Sequence, residues 1–179
     1  GNALMLVEPF VDSQPFVVAY PDDIVLGKIP LSRQLIETWE KTGNTVLAVQ
    51  ELEEDQLARY GVIDPVDSGK IMKVKNMVEK PLPGYAPSRF VSYGRYLYTP
   101  DLFDALRISD KKHSHKSEFT QTESINYMAA QGNVSALQFD GTRYDLGEPL
   151  GFLTNSAVLF SSPMFFVKLK SIPHSSLKK

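Results

Sequence analysis

Two short apolar runs on either side of a helical period constrain this chain more than any other feature. Pro15-Phe16-Val17-Val18-Ala19-Tyr20 is rich in β-formers and is ended by Pro21, Asp22 and Asp23, which predicts a strand buried on both faces. From Leu31 to Lys41 the apolar residues Leu31, Leu35, Ile36 and Trp39 recur at helical spacing, and Gly43 stands where a helix would stop. Thr45-Val46-Leu47-Ala48-Val49 is a second continuous apolar run. Strand, helix and strand thus follow one another within about 35 residues, the signature of a βαβ unit with a right-handed crossover in a parallel sheet. The class is α/β.

The rest of the chain continues in that style. Tyr60-Gly61-Val62-Ile63 and the stretch from Ile71 to Val78, with the turn-prone Asp67-Ser68-Gly69 between them, read as a hairpin. Arg89 to Tyr98 reads as an aromatic, β-branched strand interrupted by Gly94, and Pro100 opens a short helix through Leu106. Lys111 to Ser117 is polar and charge-dense, so a surface loop is expected there. A helix from Thr122 to Gln131 stops at Gly132, Val134 to Phe139 forms a final strand, and Glu148 to about Phe160 a closing helix before a basic tail. There is no internal repeat, low-complexity region or linker, and one domain over residues 1–179 is expected.

Composition narrows the partners. With 42% apolar and 22% charged residues the chain has the means to bury a core. A formal charge of -2 and a pI near 5.9 argue against nucleic acid and anionic membranes, which are bound through clustered Lys and Arg. The absence of cysteine excludes disulfides, thiolate metal sites and cysteine nucleophiles. Gly1 to Phe10 lack the basic flank and apolar run of a signal peptide, and no stretch approaches the roughly 20 apolar residues of a membrane span. A cytoplasmic protein is expected.

Four constellations are able to carry chemistry. Asp22-Asp23 closes a strand of an α/β sheet, where ligands gather and a carboxylate coordinates Mg²⁺ through hard oxygen; the competing reading is a turn cap. Asp145, in Arg143-Tyr144-Asp145-Leu146-Gly147, would complete such a site with Asp22, or would simply serve an Asp-x-Gly turn. Val78-Glu79-Lys80-Pro81 puts a hydroxyl acceptor beside a phosphate-binding ammonium, the chemistry a sugar phosphate needs, although Glu-Lys pairs are also common on surfaces. Gly61 and Gly94, inside strand patterns, mark bulges or close approaches, made either by a ligand or by a neighbouring side chain. His113, His115 and His174 lie in polar segments without ligand spacing. Neither a G-x-G-x-x-G nor a Walker-type phosphate loop is present, and no Ser-His-Asp arrangement stands out.

Taken together, Pro15 to Asp23, Tyr60-Gly61-Val62, Val78-Glu79-Lys80-Pro81, Gly94-Arg95-Tyr96 and Phe139-Asp140-Gly141-Thr142-Arg143-Tyr144-Asp145-Leu146-Gly147 resemble, in order and spacing, the bacterial UTP-glucose-1-phosphate uridylyltransferases. Several short motifs in one order are far more specific than any one of them, and the likeness covers nearly the whole chain. The resemblance implies a Rossmann-like α/β/α sugar nucleotidyltransferase fold, GT-A-like, with a mixed central sheet. It implies that Asp22 and Asp145 hold Mg²⁺, that Glu79 takes the glucose hydroxyls, that Lys80 meets the sugar phosphate, and that Gly61 and Gly94 let the hexose approach. Asp23 is a neighbour rather than an assigned ligand.

Members of that family begin with a glycine-rich nucleotide loop that has no counterpart here, and Gly1-Asn2-Ala3 looks like the end of a Gly-His-Ala element just past it. The expectation is therefore an N-terminally truncated enzyme, inactive alone. Its whole form would use UTP and glucose-1-phosphate to make UDP-glucose and pyrophosphate. Two other readings stand beside it: a noncatalytic fragment that binds sugar phosphate or a partner, and an enzyme using dTTP. An apolar edge left by the missing unit would make homo-oligomers possible. Pro21 replaces a usual glycine, and Ser117-Glu118-Phe119-Thr120-Gln121-Thr122-Glu123 departs from the family run Gly-Glu-Ile-Gln-Leu-Thr-Asp, with Gln121 shifted by one position.

Overall fold

The computed structural model describes residues 1–112 and 120–161. Short helices α1 (Asn2–Met5) and α2 (Glu8–Val11) precede strands β1 (Phe16–Ala19) and β2 (Asp23–Leu26). Helix α3 (Leu31–Thr42), strand β3 (Thr45–Glu51) and a 3₁₀ segment (Glu54–Arg59) follow, then β4 (Gly61–Pro65), β5 (Ile71–Glu79) and β6 (Phe90–Tyr98). Helices α4 (Leu102–Lys112) and α5 (Thr122–Ala130), strands β7 (Val134–Gln138) and β8 (Thr142–Asp145), and helix α6 (Pro149–Ser161) complete the described chain.

Strand β3 shows why the structure is layered. Val46 and Ala48 pack with Leu31 and Leu35 of α3, whereas Leu47 and Val49 pack with Leu102, Leu106, Ile125 and Met128 of α4 and α5. A continuous apolar strand alternates its side chains between two faces, so each face demands its own helical cover. Helix α3 stops where predicted: Gly43 sits at φ 71°, and its N–H donates to Trp39 O at 2.7 Å. Glycine takes this left-handed conformation without the steric penalty of a Cβ.

The sheet order is β1-β6-β3-β7-β5-β4, and β4 pairs back onto β6. Among the described residues only β3–β7 is parallel, so the sheet is mixed. The predicted βαβ unit is real in direction but not in adjacency. Strands β1 and β3 both run antiparallel to β6, hence parallel to each other, with β6 inserted between them.

This insertion leaves β1 an edge and corrects the expectation of a strand buried on both faces. Phe16 and Val18 pack on the core beside α4, but Val17 is 36% exposed and Ala19 is exposed. Among the described residues, none of β1 belongs to the core beneath α3.

Three further expectations change. The helix after Pro100 runs to Lys112, because Leu102, Leu106 and Ser109 prolong the buried stripe beyond Leu106. Lys111 and Lys112 therefore end a helix, while the rest of the expected loop, with His113 and His115, and also His174, lies outside the described residues. Val134–Gln138 is not the final strand, since the polar stretch Thr142–Asp145 pairs with Asp23–Leu26 as a separate two-stranded ribbon. Among the described residues no helix is long and apolar enough to cross a membrane.

Candidate functional site

The ribbon sets the acidic side of the site. In its register Asp23 lies opposite Asp145 and Val25 opposite Arg143. Directly opposed residues of an antiparallel pair, and residues two apart on one strand, share a face. Asp23, Asp145 and Arg143 are thereby gathered on one side.

Asp23 is 7% exposed. Its Oδ2 accepts the Gly94 N–H at 3.0 Å and its Oδ1 accepts from the Arg143 guanidinium. A second nitrogen of Arg143 donates to Asp145 Oδ2 at 3.0 Å. A third donates to the Tyr60 hydroxyl at 3.3 Å, and that hydroxyl donates to Asp145 Oδ2 at 3.3 Å. The guanidinium lies 4.0 Å from the centre of the Tyr93 ring, a cation–π arrangement that partly replaces lost water.

A buried carboxylate is tolerated only when it is paired and hydrogen-bonded, and Asp23 has both. Burial acts to raise the Asp145 carboxyl, yet the Gly147 N–H and the Arg143 charge together hold it below its ordinary range. Burial likewise acts to lower Arg143, and Asp23 outweighs it, so the guanidinium stays firmly charged.

Asp22 differs from its neighbour in being exposed. A Cβ built on Gly147 would lie 3.0 Å from Asp22 Oδ2 and 3.3 Å from Asp145 Oδ1. Two carboxylates thus point at one place that only a glycine leaves open. The Leu146 N–H donates to Asp22 O at 2.8 Å and ties the two segments together. Among the described residues no group of three or more potential ligands gathers. Two hard carboxylate oxygens converging on one point suit a cation that completes its shell with water and substrate oxygens, as Mg²⁺ does.

The opposite wall comes from the β4–β5 hairpin, in which Gly61 lies opposite Glu79. Thr122 Oγ1 donates to Glu79 Oε2 at 3.2 Å, and Glu79 Oε2 stands 3.1 Å from where a Gly61 Cβ would be. Lys80 adopts φ 46° immediately before Pro81, and its N–H donates to Tyr60 O at 3.0 Å. The left-handed conformation costs a non-glycine residue about 1–2 kcal/mol and persists only where the surroundings impose it.

At Gly94 the close approach is made by a side chain. A Cβ there would lie 2.6–2.7 Å from Cβ, Cγ and Cδ2 of Tyr20. The Gly94 carbonyl accepts the Tyr20 N–H at 2.8 Å, and Arg95 binds the carbonyls of Tyr20 and Asp23, which fixes the turn from β1 into β2. Beneath it Tyr20, Tyr96 and Tyr98 form a chain of ring contacts, and the Tyr98 hydroxyl donates to Gln121 Oε1 at 2.9 Å.

Asp22, Gly61, Glu79, Lys80, Gly94 and Asp145, drawn from five separate stretches of sequence, all line one cavity of about 840 Å³. Tyr20, Tyr60, Arg143, Gln121 and Thr122 line it too and were not predicted as site residues. The signal for Arg143 was present: it stands two residues before Asp145, the spacing that puts both on one face of a strand. It was hidden because no strand was expected there.

A family model described as nucleotidyl transferase matches residues 1–161. The UTP--glucose-1-phosphate uridylyltransferase of Staphylococcus haemolyticus is 42% identical over 154 residues, 86% of this chain and 53% of that protein. The enzyme of the same name from Bacillus subtilis is 39% identical over 157 residues, 87% of this chain and 53% of its own length. The chain therefore spans about half the length of the curated relatives it matches. A solved UDP-glucose pyrophosphorylase complexed with UDP-glucose superposes with a TM-score of 0.81 at 29% identity, covering 88% of this chain and 60% of that one. A UTP-bound UGPase from Acinetobacter baumannii shares the fold, with a TM-score of 0.78 at 23% identity over 94% of this chain and 59% of its own.

Proposed function

The chain belongs to the nucleotidyl transferase family, and on that premise we propose that its cavity is the sugar-1-phosphate and metal side of a site that converts UTP and glucose-1-phosphate into UDP-glucose and pyrophosphate. The observation that carries this reading is the convergence of all six candidate residues on one cavity. The names of the relatives at about 40% identity support the choice of nucleotide and sugar.

In this reading a phosphate oxygen of glucose-1-phosphate attacks the α-phosphorus of UTP, the α–β phosphoanhydride bond breaks, and pyrophosphate leaves. Such a transfer needs positioning and charge neutralisation more than covalent help. Mg²⁺, when held by Asp22 and Asp145, supplies Lewis-acid stabilisation of the phosphate oxygens. Lys80, which lines the cavity, neutralises the sugar phosphate, and its φ of 46° is a local strain that the surroundings hold in place. Glu79, steadied by Thr122, accepts hydrogen bonds from the hexose hydroxyls. Gly61 and Gly94 keep the wall thin, since a Cβ at Gly94 would collide with Tyr20, which lines the same cavity. A cytoplasmic setting is proposed with this reading, and no residue of the chain requires an oxidising compartment.

The test is pyrophosphate release by the full-length protein given UTP, glucose-1-phosphate and Mg²⁺, repeated with dTTP. Turnover with UTP that collapses in Asp22→Ala and Asp145→Ala is expected. Unchanged turnover in Asp145→Ala would sink the metal assignment, and preference for dTTP would overturn the choice of base.

A further inference from the structure

Arg143 touches more of this site than any role assigned so far requires. It is 13% exposed in its side chain, it lies on the Tyr93 ring, and its three nitrogens serve Asp23, Asp145 and the Tyr60 hydroxyl. A simple stabilising ion pair would need one carboxylate.

The consequence falls on Asp145. Its Oδ2 is occupied by the Arg143 N–H at 3.0 Å and the Tyr60 hydroxyl at 3.3 Å. Its Oδ1, steadied by the Gly147 N–H at 2.9 Å, is left facing the point over Gly147 that Asp22 also faces. The guanidinium cannot swing away, because the buried Asp23 holds its other edge and is itself held by the Gly94 N–H. We infer that Arg143 is a positioning residue that selects which oxygen of Asp145 is presented to a divalent cation, with Asp23 as its anchor. This rests on the reading of Asp22 and Asp145 as metal ligands.

The work needs a planar fork. A lysine ammonium is a point charge on a flexible stem that cannot hold three acceptors in one plane while stacking on a ring. Lysine at 143 would keep the charge, leaving cation–metal repulsion as it was, and would lose only the geometry.

The experiment is Mn²⁺ titration of the full-length protein, followed by the electron paramagnetic resonance of free Mn²⁺, alongside thermal melting of each variant. Arg143→Lys is expected to remain folded and to weaken Mn²⁺ about 10- to 100-fold, the usual effect of losing a residue that orients a metal ligand. Asp145→Ala is the separating control. If it binds Mn²⁺ like the parent, the metal reading itself fails. If it loses Mn²⁺ while Arg143→Lys binds within about two-fold of the parent, only the role of Arg143 is overturned, and a lower melting temperature alone would mark it as structural. Should Arg143→Lys not fold, Asp23→Asn releases the anchor while leaving Asp145 and its bonds to Tyr60 and Gly147 in place. Weaker Mn²⁺ binding is expected there, and parental binding overturns the inference.

Discussion

Gly94→Ala isolates a contact whose cost can be worked out. Gly94 is not among the residues at positive φ, so alanine meets no backbone strain there and the effect is packing alone. The added Cβ would lie 2.6 Å from Tyr20 Cβ and 2.7 Å from Cγ and Cδ2. Turning the tyrosine side chain about its Cα–Cβ bond moves the last two atoms but not the first. Tyr20 Cβ is fixed by the N–H to Gly94 O bond at 2.8 Å and by Arg95 on the Tyr20 carbonyl. The end of β1 must therefore part from β6, an overpacking strain of about 1–3 kcal/mol. At the size of this chain each kcal/mol moves the melting temperature by roughly 2–4 °C.

Urea and thermal unfolding would read the loss, and a double-mutant cycle would assign it. Tyr20→Ala keeps Cβ and should recover only part of the cost, whereas Tyr20→Gly should recover most of it. Gly94→Ala within about 0.5 kcal/mol of the parent, or a Tyr20→Gly coupling below that figure, would refute the reasoning.

Two other perturbations test different physics. Lys80→Gly relieves the left-handed strain but adds unfolded-chain entropy, so stability should stay level or rise by up to about 1 kcal/mol while glucose-1-phosphate binding weakens; a marked fall in the urea midpoint would contradict it. Burial pushes the Tyr93 phenol up to about 12, with Arg143 pulling the other way, and burial also raises Tyr96 and Tyr98. Unfolded tyrosines ionise near pH ~10, so the unfolded state sheds protons first and stability, complete below that pH, falls as pH rises through the folded values. Urea midpoints across that range should drop for the parent and drop less for Tyr93→Phe.

What the sequence disclosed depended on whether the cause was local. The α3 stop at Gly43 and the β4–β5 hairpin are decided by residues in contact along the chain, and both were legible. The edge position of β1 was not, because an apolar run does not say which strand will slide in beside it, and the β6 partners, from Phe16↔Tyr98 to Ala19↔Arg95, lie about 80 positions further along the chain. The ribbon of β2 and β8 was missed because Asp23–Leu26 and Thr142–Asp145 are four residues each and the latter is mostly polar, so neither carries a periodic signal. That miss hid Arg143 and Tyr60, whose importance comes from what they reach across space. The six candidates were found as short motifs in order, which shows where chemistry gathers without showing what holds it in place.

The ribbon register has a consequence for how this protein tolerates change in chain length. Asp23 and Asp145 face each other because the 121 intervening residues return Asp145 to one ladder position. In a pleated strand the side chains alternate, so a shift of one residue turns every group to the other side. A one-residue deletion at Gly141 should rotate Arg143 and Asp145 out of the cavity together, while an insertion at the β4–β5 turn around Gly69 lengthens a surface loop and leaves the ladder in step. Insertions and deletions should therefore be sorted by their parity at the ribbon rather than by their distance from it.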